Sequence, residues 1–200
     1  MADWHEIYEF WFGAPESDDH GSVRELWFGG GPSVDREIST RFAGPYQRAV
    51  AGELGNWTSQ ARSWVSLIVL LDQFPRNIFR GDSRSFAADP QALENARELV
   101  ASPLHDDLIT VEKVFAYLPF EHSENLADQE TCLALFRALE PHDAKAEWVD
   151  YAVQHRDIIR EFGRFPHRNA ILGRRNTPAE EAWLASSDQR FGTDGNDEDK

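Results

Sequence analysis

Three short stretches of this 200-residue chain concentrate the side chains able to bind or move charge. They are Asp72-Gln73-Phe74-Pro75-Arg76-Asn77, Tyr117-Leu118-Pro119-Phe120-Glu121-His122-Ser123-Glu124 and Gly163-Arg164-Phe165-Pro166-His167-Arg168-Asn169. Each sets a proline beside an aromatic residue and follows it with arginine, histidine, amide or carboxylate groups. Arginine holds carboxylates and phosphates in a planar fork. Histidine near an acid can transfer a proton close to neutral pH. The candidate ligand-binding set is therefore Arg76, Asn77, Arg80, His122, Glu124, Asp128, Arg164, His167, Arg168 and Asn169, with Asp72, Gln129 and His155 as structural support.

Asp72 continues the apolar face of Val65 and Ile68 and sits near a helix C-terminus, where the dipole disfavours negative charge. Its carboxylate needs a cation: Arg76 at i+4, or Arg164 or Arg168 from the third junction. Two readings stand side by side. In one, a structural ion pair locks two helix ends. In the other, Asp72 aims an arginine at a ligand. His155 lies on the stripe Trp148, Tyr151, Ala152, Ile159, Phe162 and reads as a hydrogen-bonded core histidine. His122 and His167 stand at helix ends among acids and arginines and have the better claim to function. Gln129 shares an inward stripe with Leu126, Leu133 and Phe136, so its amide needs a partner, expected from a junction backbone group. Asn77 and Asn169 also read as caps for the turns after each proline.

His122, Glu124 and Asp128 offer nitrogen and oxygen to a metal. Acids in the first turn of a helix are favoured by its dipole without any metal, however, and the spacing H-E-x-x-H is absent. No metal and no cofactor are expected. Cys132 lacks an activating base and reads as a core thiol. No nucleophile elbow, phosphate loop or dinucleotide fingerprint is present.

Proline removes a backbone donor and clashes with the preceding turn, so each junction is expected to end a helix. Asp3 and Glu6 suggest a capping box for a helix ending at Gly13. A short helix carrying Trp27 and Phe28 precedes Gly29-Gly30-Gly31. Ser33 opens a helix to about Gly52, kinked at Pro45. Further helices are expected over 59–74, from an Asp89 cap to 101, over 110–118, from a Ser123 cap to 139, over 143–162, and from the Thr177-Pro178-Ala179-Glu180 box onward. Short loops make consecutive helices antiparallel neighbours. If 59–74 points up, then 90–101 points down, 110–118 up, 124–139 down and 143–162 up. All three junctions then meet at one rim.

Two hundred residues suit one domain, and 41% hydrophobic with 12% aromatic residues is a globular composition. We expect a domain over 1–187 and a disordered acidic tail over 188–200. The net charge of −15 argues against nucleic acid and anionic membranes as partners. Against that trend, residues 160–175 hold five Arg and one Glu, a local +4. Of twenty cationic residues three are Lys (113, 145, 200), leaving seventeen Arg. The single Cys excludes an internal disulfide. Neither a signal peptide nor an apolar run of the ~20 residues that span a bilayer is read, so a cytoplasmic location is expected.

The chain resembles the bacterial family catalogued as domain of unknown function 924. The likeness rests on residues 70–81 (Leu70 through Gly81), 117–129 and 155–174, with weaker agreement at Phe10-Trp11-Phe12-Gly13, Trp57 and Thr177-Pro178. It covers most of the chain apart from the tail. The resemblance implies an all-helical, tetratricopeptide-like (TPR-like) α-α superhelix of antiparallel pairs. It implies no activity and carries over no catalytic residue. No regular 34-residue period is present, so a compact relative is expected rather than a peptide-binding array.

Two functions fit these observations. One is a rim site for a small phosphate or carboxylate metabolite, with His122 and His167 available for proton transfer. The other is an interaction scaffold, with a protein partner or a homodimer face in the Trp-rich first third, whose polar cluster is a structural network. No reaction can be assigned from the residues.

Overall fold

Helical periodicity carries through to the three-dimensional structure. The computed structural model describes residues 3–18, 20–29 and 31–186, and among these there is no strand. The helices are α1 (Trp4–Phe12), α2 (Leu26–Gly29), α3 (Gly31–Val50), α4 (Ala61–Asp72), α5 (Phe74–Ile78), α6 (Asp89–Ala101), α7 (Thr110–Glu121), α8 (Leu126–Ala138), α9 (Lys145–Phe162) and α10 (Pro178–Ser186). The fold is all-α, as expected. The tail reading for 188–200 lies outside the described residues.

The apolar helix α4 is the axis. All of its residues except Arg62 are buried, and it packs against α1, α3, α6 and α7. Its two serines turn their hydroxyls back to carbonyls, Ser63 to Trp57 and Ser66 to Arg62, so each buried hydroxyl is satisfied. Around it, Trp11 meets Phe74 and Phe115 edge-on, both at 5.4 Å, and Trp27 meets Phe115 at 4.8 Å. Burying each such ring contributes about 1.5–3 kcal/mol. Trp11, Trp27 and Trp57 all lie in this core and Trp4 is half-buried. The aromatic residues whose exposure would favour a scaffold are therefore mostly interior.

The predicted alternation of direction is present. The C-terminus of α4 at Asp72, that of α7 at Glu121 and the turn after α9 at Phe165 lie together with the start of α6 at Asp89 and the approach to α8 at Glu124. Gly163 ends α9 with φ of 70°, a left-handed residue that glycine adopts without strain.

Several helix boundaries differ from expectation. The helix α7 does not stop at Pro119 but runs through it to Glu121. Pro119 lies in the last turn, where one missing donor disturbs little of the ladder. Pro75 likewise opens α5 more than it closes α4. The cap of α8 is Asn125, whose side chain accepts from Ala127 N–H, and not Ser123, whose hydroxyl donates to Asp128. Ser33 lies inside α3, which begins at Gly31. Asp3 precedes α1 but does not cap it with its side chain, which pairs with His5 instead. Asp89 opens α6 without capping it, because its carboxylate is drawn to arginines. The Thr177 box forms as read: Thr177 N–H donates to Glu180, and Glu180 N–H to the Thr177 hydroxyl.

Candidate functional site

The three proline junctions converge on one cavity. Its lining includes Arg76, Arg80, Ser85, Phe86, His122, His155, His167, Arg168 and Ile171. The room inside, about 60 Å³, is several times what one water needs, so a small solute fits. Three arginines and three histidines line it, and among the described residues no carboxylate does.

The acids stand behind the cations. Asp72 is fully buried and accepts from His122 Nδ1 at 2.8 Å and from Arg76 Nη2 at 3.2 Å, while Gln73 donates to its other oxygen. Arg76 also donates to Asp89 at 3.1 Å and to the Ser85 carbonyl at 3.1 Å. A buried carboxylate at a helix C-terminus is thus held by a second helix end and by its own i+4 arginine. Burial opposes its charge, but His122 and Arg76 outweigh burial and hold the Asp72 carboxyl down at about 2. For Asp89 burial wins, and its carboxyl is raised despite Arg76.

Arg168 is the most enclosed cation. It is 7% exposed and packs its guanidinium on Phe165 at 4.4 Å and Phe86 at 4.7 Å. One Nη donates to the His122 carbonyl at 3.1 Å and lies 3.6 Å from Asp89. Its Nε meets no hydrogen-bond partner among the described residues. Burial and the nearby Arg76 bring its proton affinity down to about 10.

The histidines sense the same surroundings. His167 is pushed down to about 3 by burial and then by Arg168 and Arg174. His155 reaches about 3 chiefly through burial, although its Nδ1 donates to the Tyr151 carbonyl at 2.9 Å. His122 is lowered by burial and Arg76 against the pull of Asp72. Behind His155 lies Glu121, with an oxygen 3.6 Å from its Nδ1, and burial pushes that carboxyl up to about 8.

The remaining predicted residues hold the junctions in place. Arg80 and Asn77 both bind Asp35 of α3, at 2.7 and 2.8 Å. Glu124 accepts both Nη groups of Arg174 and the Phe165 N–H. Arg164 forks onto Glu180 and reaches the Arg175 carbonyl, which fastens α10 to the third junction and leaves Arg164 outside the cavity lining. Asp128 pairs with Arg97 and Ser123 and is likewise not a lining residue. Asn169 is buried and donates to Asn176, so it ties the loop rather than capping the turn with its amide. The Gln129 amide donates to the Glu121 and Ser123 carbonyls, as its inward stripe requires. Among the described residues no set of His, Cys, Asp and Glu converges as metal ligands do, and no helix is long and apolar enough to cross a membrane.

Besides the lining residues Ser85 and Ile171, three further contributors lie outside the expected set. Asp89 looks like a helix start, Asp35 sits in α3 without any motif, and Phe86 lies in a 3-10 turn after the first junction. The pairing of acid with arginine was foreseeable for Asp72 alone, through its i+4 spacing.

The family model described as bacterial protein of unknown function (DUF924) matches residues 7–188. The chain is also similar to a solved structure of a protein of unknown function from Agrobacterium tumefaciens. The two are 35% identical, with a TM-score of 0.81, over 92% of this chain and 97% of that one. No curated protein matches the chain.

Proposed function

The chain belongs to the DUF924 family of bacterial proteins, and from that premise we propose that its cavity binds a small phosphate or carboxylate ligand. The observation that carries this reading is the lining. Arg76, Arg80 and Arg168 reach the cavity with three histidines, while Asp72, Asp89 and Asp35 sit behind them. Such an arrangement keeps the cations oriented and leaves a positive wall. Guanidinium forks match the oxygen edge of a carboxylate or phosphate.

The overall charge of −15 favours a small anion over a polyanion, since the exterior repels the latter. A cytoplasmic location belongs to the same reading. A purely structural network is the second reading. It is favoured by the fact that Arg76, Arg80, Arg164, Arg168 and Arg174 each have a carboxylate within 4.0 Å. In that case the cavity takes no ligand and the function lies in surface interactions.

Thermal unfolding with inorganic phosphate and a panel of small mono- and dicarboxylates separates the two. At a hundredfold excess over Kd a bound anion adds about 2.7 kcal/mol, equivalent to about 5–10 °C in a chain of this length. Arg168→Ala abolishes that shift while the helical spectrum persists, and Ile171→Trp, which fills the cavity, does the same. A flat response of the wild-type protein to every anion sinks the proposal.

A further inference from the structure

The anion site contains a histidine whose protonation is set by geometry. His122 Nδ1 lies 2.8 Å from Asp72 Oδ1. An ionised carboxylate only accepts, so Nδ1 carries the proton and Nε2 is the bare nitrogen. Asp72 cannot swing away, because it is buried and is also held by Gln73 and Arg76. This is the arrangement by which a buried acid fixes an imidazole tautomer and steadies the imidazolium that forms during proton transfer. His122 is itself part of the cavity wall, in the company of Arg76, Arg80 and Arg168.

Other nucleophiles near the cavity are engaged. The Ser85 hydroxyl donates to the Asp82 carbonyl at 2.7 Å. Cys132 is buried, and its thiol contacts the Tyr117 carbonyl at 3.8 Å. An attacking group would therefore come from solvent.

We propose that this cavity hydrolyses small phosphate monoesters, with His122 as general base and Asp72 as the residue that positions it. The inference rests on the anion-site reading above and adds a reaction to it. His122 Nε2 takes a proton from a water molecule as that water's oxygen bonds to phosphorus. The P–O bond to the leaving alkoxide breaks with its electron pair. On the far side of phosphorus the alkoxide takes a proton from solvent, and the imidazolium gives its proton back to solvent, so that one water is consumed and His122 returns to its neutral form. The arginines hold the phosphoryl oxygens, where negative charge must be matched during transfer. Phosphate suits this wall better than carboxylate, because three guanidiniums can share its oxygens.

The test measures phosphate release from 4-nitrophenyl phosphate and a panel of short-chain phosphate monoesters, in parallel with the melting shift caused by inorganic phosphate. We expect turnover by the wild-type protein. In His122→Gln, kcat falls by about 10²–10⁴ while inorganic phosphate still raises Tm. Asp72→Asn lowers kcat and moves the acid limb of the pH–rate profile to lower pH, because the charge that favours the imidazolium is gone. A merely structural Asp72 would change stability and leave the limb in place. Wild-type protein that is stabilised by phosphate yet releases none from any ester overturns the hydrolytic inference and leaves the binding reading standing. Undiminished kcat in His122→Gln overturns it equally. Wild-type protein that ignores phosphate altogether removes the binding reading and this inference with it.

Discussion

Glu124 and Arg174, fifty residues apart, form a two-pronged pair with nitrogen–oxygen distances of 2.7 and 2.9 Å. The same Glu124 accepts the Phe165 N–H at 2.8 Å, and Arg174 returns a hydrogen bond to the Phe165 carbonyl at 3.0 Å. This closed set fastens the third junction to the start of α8 and so holds Arg168 over the cavity. Hydrogen bonds to charged groups contribute about 1.5–3 kcal/mol each, less where water reaches them. Arg174→Ala is expected to cost about 2 kcal/mol in urea unfolding and to weaken phosphate binding without touching the ligand. Unchanged stability and binding would show that the junction is held by other means.

The buried titratable groups predict a stability maximum in pH. His155 and His167 hold folded values of about 3 against an ordinary 6.5. Below 6.5 the unfolded chain binds protons that the native one refuses, so stability falls as pH drops from about 6.5 towards 3. Glu121 has the opposite sign. Its folded value of about 8 against 4.5 means that the native state keeps a proton the unfolded chain has released, and stability falls as pH rises from 4.5 to 8. Two histidines outweigh one glutamic acid up to 6.5, and beyond that the Glu121 contribution dominates. The melting temperature should peak near pH 6.5 and decline towards pH 8. Glu121→Gln should flatten the alkaline decline, with a gain on the order of 5 °C at pH 8. A wild-type curve flat from 6.5 to 8 contradicts a protonated Glu121.

Anion binding should share this proton economy. Burial depresses His167 most, Arg168 and Arg174 add to it, and Glu124 already neutralises Arg174. An anion arriving at Arg168 offsets the remaining charge and raises the proton affinity of His167 and His155. Sulfate, which stays a dianion in this range, should therefore bind more tightly as pH falls from about 5 towards 4, with net proton uptake, because the histidines start from folded values of about 3. Calorimetry in two buffers of different ionisation enthalpy reads that uptake directly, and identical heats in both would rule it out.

A second buried network lies elsewhere in the molecule. Glu112 is fully buried and accepts from the Tyr8 hydroxyl and the Ile109 N–H, with Arg62 Nε at 3.5 Å and His20 bonded to Tyr8 at 2.8 Å. Tyr8→Phe removes a donor from an enclosed carboxylate. We expect a loss of about 1–3 kcal/mol and no change in phosphate binding. A change in binding would mean that the two networks communicate.

Gln129→Leu keeps the volume and deletes the donors to the Glu121 and Ser123 carbonyls. Two carbonyls at the end of α7 then lack a partner, at a cost of about 1–3 kcal/mol each. Equal urea midpoints for mutant and wild type would show that water replaces the amide.

Convergence of the junctions was legible because it depends only on helix count and loop length, both of which proline and glycine punctuate strongly. Gln129 and His155 were legible from inward stripes, although Leu126 and Tyr151, read on those same stripes, face solvent at 40% and 44% exposure because each sits at the stripe's edge. The partners of the arginines were less so. Asp35 and Asp89 meet Arg80 and Arg76 across 45 and 13 residues, and no local pattern records a contact between separate helices. Asp89 was also masked by its own local sense, since Asp-Pro is a strong helix opening. The boundary errors at Pro119 and Ser123 have a common cause. Proline weakens a last turn without forbidding it, and a serine two residues early can be outcompeted by Asn125. Tyr8 and Glu112 are 104 residues apart, and nothing in either neighbourhood announces the other.

Arg168, lodged against Phe86 and Phe165, surrendered its rotameric freedom when the chain folded. Aromatic rings occupy its flanks, so what it presents to an incoming group is the N–H edge of a fixed plane. A ligand that settles there orders little that was loose beforehand, and the entropic cost of immobilising a long side chain falls on folding rather than on association. The orientation of the arriving oxygens, and not charge alone, then decides which anions are retained.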